Sequence, residues 1–259
     1  MGHLNTLYAI LPCYNEEENI GPLMESWLSQ RGALRQRGLD LVLLPIDDCS
    51  KDRTREIMLD YAARYDQIRP LLHEENQGLG GGVRTGLGFF ADTGGPDDLA
   101  VIMDGDNSHA PKYIGAMLDL LRTGKLDCVI ASRYRPGSVT VGVSPFRQFL
   151  SFGARIYYSA MLRVKGVRDY TCGYRLYTHE IIKKAVDTHG DTLVEERGFS
   201  CMMEVLYKLN LLGAKFGEVP FELRYDQKLG DSKMQIGNTV SRSLTTAARL
   251  RKNRKRDQP

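Results

Sequence analysis

The sequence predicts an α/β fold of three layers around a central, mainly parallel mixed sheet. Short apolar runs alternate with stretches of helical spacing, the pattern of strand–helix–strand units. At 259 residues the chain is long enough to bury a substantial core, as one large domain or two small ones. Polar residues gather just beyond the apolar runs, the edge at which open α/β sheets bind ligands.

The elements follow in order. Residues 7–11 are an apolar run ending at Pro12 and read as a buried strand. Residues 16–30 carry acids early and apolar side chains at Ile20, Leu23, Met24, Trp27 and Leu28, which is helical spacing. A second strand, 39–46, ends in Asp47-Asp48; Ser50 or Asp52 then caps a helix with Ile57, Met58, Tyr61 and Ala62 on its apolar face. Residues 68–72 suggest a third strand, and the glycine-rich stretch 78–88 reads as a loop leading into a helix. Residues 99–103 form a fourth strand ending at Asp104, 111–121 a helix, and 128–131 a fifth strand. The second half is less regular, with 170–177 strand-like and 200–212 helical. Ile236, Val240, Leu244, Ala247 and Ala248 recur at helical spacing before a basic run at 249–256. The expected division is therefore a main domain at 1–235 and an amphipathic helix with a basic tail at 236–259.

Composition excludes several classes. A net charge of +3, concentrated in that terminal run, is too small for nucleic-acid binding by bulk electrostatics. Five cysteines without CxxC or Cys/His spacing fit free thiols in a reducing compartment. No signal peptide is visible, and no apolar run is long enough to span a bilayer, so a cytoplasmic chain is expected.

Four groups carry chemistry. Asp104-Gly105-Asp106 follows a strand, so two carboxylates can converge on one hard cation, Mg²⁺ or Mn²⁺, with Gly105 leaving room for a ligand. An isolated pair of this kind is more often a turn; polar groups from three other strand ends shift the balance. Asp47-Asp48 offers one carboxylate to a base or ribose and one to the turn. Tyr14 offers a flat face to a nucleobase and Glu16 an acceptor, while Asn15 suits a helix cap. Arg133, Arg147, Arg175, Arg224, Lys228 and Lys233 are candidate phosphate contacts, the last beside Gly230-Asp231-Ser232. The run Gly78-Leu79-Gly80-Gly81-Gly82-Val83 fails the G-x-G-x-x-G pattern, because Val83 and Thr85 stand where glycine is required. The glycines instead suit a loop beside the pocket, with Arg84 as a phosphate or acceptor contact.

In order along residues 8–234, these motifs resemble family 2 glycosyltransferases of the GT-A fold, a Rossmann-like arrangement, and among them dolichyl- and polyprenyl-phosphate mannose and glucose synthases. The resemblance rests on Leu11 to Glu16, Ile46 to Ser50, Asn76 to Gly80, Met103 to Asp106, Ser132 to Tyr134, Asp169 to Arg175, and Gly230 to Lys233. It implies a hexose transferred with inversion from a GDP-mannose or UDP-glucose type of donor to a polyprenyl phosphate. Pro12, Tyr14, Glu16, Asp48, Asp104 and Gly105 would then bind the donor, and Arg224 or Lys228 with Lys233 would close on its diphosphate. Asp104, Asp106 and Ser108 would hold the metal. Arg133 and Arg147 would receive the acceptor phosphate. An alcohol acceptor would need a base, for which Asp169 is the best candidate, with Arg175 orienting the site. The basic amphipathic end suits an anionic membrane surface.

The Q-x-x-R-W signature of processive polysaccharide synthases is absent. Alternatives that stay open are transfer to a soluble sugar, natural product or protein hydroxyl, and a non-catalytic subunit that docks on a membrane partner. A sugar-nucleotide pyrophosphorylase would present an N-terminal glycine-rich loop with a basic residue, which residues 8–20 lack.

Overall fold

The computed structural model describes residues 4–224, 226 and 236–258, with backbone only at 145–147 and 236–240. In chain order the elements are Asn5–Cys13 (β1), Ile20–Ser29 (α1), Arg31–Gln36 (α2), Leu39–Asp47 (β2), Thr54–Arg64 (α3), Leu71–Leu72 (β3) and Gly78–Thr93 (α4). Leu99–Ile102 (β4), Ile114–Gly124 (α5), Cys128–Ser132 (β5), Val139–Val141 (β6), Pro145–Leu162 (α6), Arg175–Thr178 (β7) and His179–His189 (α7) continue the chain. Cys201–Leu211 (α8), Phe216–Pro220 (β8), Glu222–Arg224 (β9), Ile236–Lys252 (α9) and Arg254–Asp257 (α10) complete it. Among the described residues the main sheet has seven strands in the order β3-β2-β1-β4-β7-β5-β8. Only β7 runs antiparallel to its neighbours in that sheet, and β6 pairs with β9 in a small parallel sheet.

Burial on both faces explains the uninterrupted apolar runs of the inner strands. Leu7, Ala9, Ile10 and Leu11 of β1 and Ala100 and Val101 of β4 are completely buried. Because β1, β2, β4 and β5 point the same way, their carboxyl ends deliver Tyr14, Asp47-Asp48, Asp104 and Arg133 to one edge. That edge is the one the sequence singled out.

The glycine-rich stretch is helix, not loop. Gly78 opens α4 with φ +76°, and Gly80, Gly82 and Gly86 are packing positions. A methyl group on Gly80 would collide with the Glu196 carbonyl, and one on Gly86 with Ile10 of β1. Close helix–strand approach has replaced helix propensity as the reason for these residues. Two helices, α6 and α7, fall where the sequence reads as irregular.

The C-terminal helix α9 packs against α6 and α8. Ala247 and Leu250 are fully buried there. Beneath it, Lys208 and Glu204 of α8 pair at 2.9 Å with both side chains buried. Glu204 also accepts the backbone amides of Glu195 and Glu196. Arg249 reaches Glu195, Glu196 and Glu204, and Arg256 reaches Glu195 at 2.8 Å. Two arginines of the expected basic tail are therefore engaged by acids of the main domain.

Packing and propensity make opposite demands on two glycines of α4. Nothing lies within 4 Å of a methyl built on Gly88, so Gly88→Ala should stabilise by about 0.5–1 kcal/mol in urea unfolding. Gly86→Ala should instead destabilise, by about 1–3 kcal/mol, because Ile10 and Ile46 crowd its methyl position.

Candidate active site

The loops after β1 and β2 are stitched together. Asn15 and Cys49 take left-handed backbones, at φ 53° and 59°. The Asn15 amide donates to Ser50 Oγ at 2.9 Å, the Lys51 amide to Asn15 Oδ1 at 2.7 Å, and the Glu16 amide to Thr54 Oγ1 at 2.7 Å. Asn15 thus bridges loops where a helix cap was expected. Tyr14 and Glu16 stay half-buried at the rim, and Glu16 accepts from Asn19 Nδ2 at 2.8 Å.

Both members of the acidic pair after β2 are built into the fold. Asp47 accepts the Ser50 amide and pairs with Arg55 at 2.8 Å. Asp48 is 4% exposed. Its Oδ1 accepts from His73 Nδ1 and the Gln77 amide, both at 2.8 Å, and its Oδ2 from the Gly78 amide at 2.7 Å. The carboxylate neutralises the positive end of α4, which leaves Oδ2 with one lone pair for any further donor.

After β4 the chain turns through Asp104-Gly105-Asp106. A side chain at Gly105 would strike Cys13 Sγ at 2.5 Å and the Pro12 carbonyl at 2.9 Å. Only glycine lets this turn lie against the end of β1. Gly173 is equally constrained, since its methyl would sit 2.5 Å from Asp104 Oδ1. Asp106 Oδ1 accepts from Ser108 Oγ at 2.6 Å, and the Ser108 carbonyl accepts from the Arg224 amide at 3.2 Å. The buried His109 ring lies behind, with Nδ1 3.8 Å from Asp104 Oδ2. Asp104, Asp106 and Ser108 make an all-oxygen set that suits a hard cation completed by substrate phosphate. Among the described residues no three His, Cys, Asp or Glu side chains converge on a metal position.

Arg133, just past β5, grips Asp169. Its Nε donates to Oδ2 at 2.8 Å and its Nη2 to Oδ1 at 2.6 Å, while its own backbone amide donates to Oδ2 at 3.0 Å. The Cys172 amide adds a bond to Oδ1 at 3.1 Å. Burial pushes the Asp169 carboxyl up, but the Arg133 charge and hydrogen bonds outweigh it and hold it below the usual carboxylate range. A buried, bidentate, ionised carboxylate has no lone pair aimed at an acceptor. Asp169 is therefore not a base: it fixes the fork of Arg133. Arg175 is fully buried, donating to the carbonyls of Tyr170, Cys172 and Met202, so its orienting role is internal.

A cleft of about 530 Å³ opens beside these groups. Asp104, Ser108, His109 and Arg133 line it together with Phe149, Phe152 and Phe199. Burial raises the Cys172 thiol on its wall to about 12, so it is not a nucleophile at neutral pH. Asp106 stands behind Ser108. Pro12, Tyr14, Glu16 and Asp48 follow the same sheet edge outside this cleft. The Arg224 guanidinium turns to Asp226 at 2.8 Å and to Glu222 at 3.3 Å. Lys228 and Lys233 lie outside the described residues, as does the side chain of Arg147, which stands in the first turn of α6. Sequence reading missed the α6 aromatics and Phe199, although Phe149, Phe152 and Ile156 already showed helical spacing.

A mainly parallel sheet presenting an oxygen-rich turn and an arginine-bearing cleft at its carboxyl edge fits a GT-A nucleotide-sugar transferase. The pattern of Glycosyl transferase family 2 matches residues 8–186, and the chain belongs to that family; it is a glycosyltransferase. An undecaprenyl-phosphate mannosyltransferase of Micrococcus luteus is 30% identical over 240 residues, covering 93% of this chain and 91% of that protein. A polyprenol monophosphomannose synthase of Mycolicibacterium smegmatis is 31% identical over 230 residues, covering 88% and 81%. Among solved structures, a mannosyltransferase of Pyrobaculum calidifontis in complex with GDP-Man and Mn²⁺ shares the fold, with TM-score 0.53 and 16% identity over 96% of this chain and 74% of that one.

The Asp169–Arg133 pair is testable in two ways. Asp169→Asn should raise the KM for a phosphate acceptor about tenfold or more while leaving nucleotide affinity unchanged, since a loosened fork affects only the acceptor side. Because the folded carboxyl is held low, its stabilisation is present at neutral pH and lost on acidification. The stability gap between wild type and Asp169→Asn should therefore shrink below about pH 3.9, read by urea unfolding across pH.

Proposed function

We propose that this glycosyltransferase moves mannose, with inversion, from a nucleoside-diphosphate donor to a polyprenyl phosphate. The observation that carries the reading is a single cleft lined both by Asp104 and Arg133 and by three phenylalanines, Phe149, Phe152 and Phe199. Such a cavity suits an acceptor with an anionic head and an apolar tail. The activities of the two relatives, which match nearly the whole chain, favour mannose and a polyprenyl carrier over glucose and a soluble acceptor.

Pro12, Tyr14 and Glu16 hold the nucleoside at the rim of β1, with Asp48 shaping the floor. A phosphate acceptor is already ionised at neutral pH and needs no base, which agrees with the engagement of Asp169 by Arg133. Arg133, joined by Arg147, receives that phosphate and directs one oxygen at the anomeric carbon. The new bond forms from this oxygen to the carbon as the bond to the diphosphate oxygen breaks on the opposite face. The nucleoside diphosphate leaves with the electron pair. Mg²⁺ or Mn²⁺ held by Asp104, Asp106 and Ser108 would neutralise charge on that leaving group. Arg224, Lys228 and Lys233 supply further positive charge to the diphosphate, Arg224 after exchanging its contacts with Asp226 and Glu222. A lipid acceptor also implies peripheral attachment at the cytoplasmic face of a membrane.

A donor panel with and without short-chain polyprenyl phosphate and Mn²⁺ tests this, reading nucleotide release. Nucleoside-diphosphate mannose should exceed the glucose and N-acetylglucosamine donors, and release should require the lipid phosphate. Release driven equally well by a sugar alcohol would sink the acceptor assignment. Asp104→Ala should lower kcat by about 10³ or more with the fold intact; unchanged turnover with Mn²⁺ would remove the metal reading.

A further inference from the structure

One face of α6 is apolar and exposed. Phe149, Phe152 and Ile156 are 72%, 47% and 53% exposed. With Gly153 and Ala160, also exposed, they form a single stripe along the helix. The opposite face is buried against α9, where the Tyr158 hydroxyl meets Ser243 Oγ at 2.5 Å. A helix apolar on both faces belongs in a core or against lipid.

Charge around the stripe is equally one-sided. Residues 128–168 contain seven Lys or Arg and no Asp or Glu. Arg133 and Arg135 are paired with Asp169 and Glu218. Arg155 lies over the rings of Tyr134 and Phe152, and Arg163 and Arg168 donate to backbone carbonyls. Among the described residues no carboxylate pairs with Arg155, Arg163, Lys165 or Arg168. Cations beside an apolar stripe are the complement of an anionic bilayer surface, where lipid phosphates lie above the acyl chains.

We infer that α6 is a membrane-docking helix, its Phe149–Phe152–Ile156 stripe entering the headgroup–acyl boundary of an anionic bilayer with Arg163, Lys165 and Arg168 on the lipid phosphates. Phe149 and Phe152 also line the cleft, so docking sets its mouth at headgroup depth, where a lipid-linked phosphate resides. That consequence rests on the polyprenyl-phosphate reading; the docking itself does not. The C-terminal helix packs against α6, with Arg249 and Arg256 engaged by acids while Arg251, Lys252, Arg254 and Lys255 are exposed.

The test is co-sedimentation of the full chain with phosphatidylglycerol/phosphatidylcholine vesicles and with phosphatidylcholine alone, without donor or acceptor. Wild type should bind the anionic vesicles and release in high salt. Phe149→Ser/Phe152→Ser/Ile156→Ser should lower partitioning at least about tenfold, with nucleotide-dependent thermal stabilisation retained as the control for folding. Ile156→Glu alone, outside the cleft, should weaken vesicle binding yet leave turnover of a water-soluble short-chain acceptor unchanged. Partitioning of either variant equal to wild type would overturn the inference. So would a wild-type chain that ignores both vesicle types, as it would if the stripe were covered by a protein partner. Vesicle binding without transfer from any donor would count against the proposed activity and leave the docking helix standing.

Discussion

Burying the Asp48 carboxylate forces much of the active edge into place. An ionised carboxylate removed from water must collect donors, and Asp48 finds them in the His73 ring and in the amides of Gln77 and Gly78. Those amides begin α4, so the end of β2 and the start of that helix are one unit. The same unit extends outward, because the Gly80 amide donates to the Arg197 carbonyl at 3.0 Å and the Arg197 guanidinium to the Asn76 carbonyl at 2.6 Å. Neighbouring Glu196 is held by Thr246 and Arg249 of α9. Elements far apart in sequence meet through hydrogen bonds that each serve an otherwise unsatisfied group.

The acceptor end follows the same physics. Arg133 carries one of the few guanidinium groups facing the cleft, and a long cationic side chain normally loses considerable freedom when it binds an anion. Asp169 and Thr171 remove that freedom during folding. The carboxylate that looked like a base in sequence is thus the group that holds Arg133 in place.

Legibility in the sequence tracked the range of the interaction responsible. Parallel strands buried on both faces write themselves as apolar runs, and their polar ends follow immediately, so Asp48, Asp104 and Arg133 could be placed on one edge. Asp169 could not be interpreted, because its role depends on a partner 36 residues away. The α4 glycines were misread because close approach to Ile10 and Glu196 leaves no local trace. Helix α6 escaped notice although Phe149, Phe152 and Ile156 recur at helical spacing, because that apolar stripe faces outward rather than into the core.

Folding α9 onto the acids beneath it changes what the last residues are. Glu196, 11% exposed at the side chain, takes its countercharge from Arg249 and Arg242 of that helix, while Glu204 shares Arg249 with Lys208. Trimming the chain ahead of position 236 would strand Glu196 and bare the hydroxyl-lined flank of α6. Helix α9 thus works as a wedge, supplying both countercharge and apolar packing to the elements on either side of it.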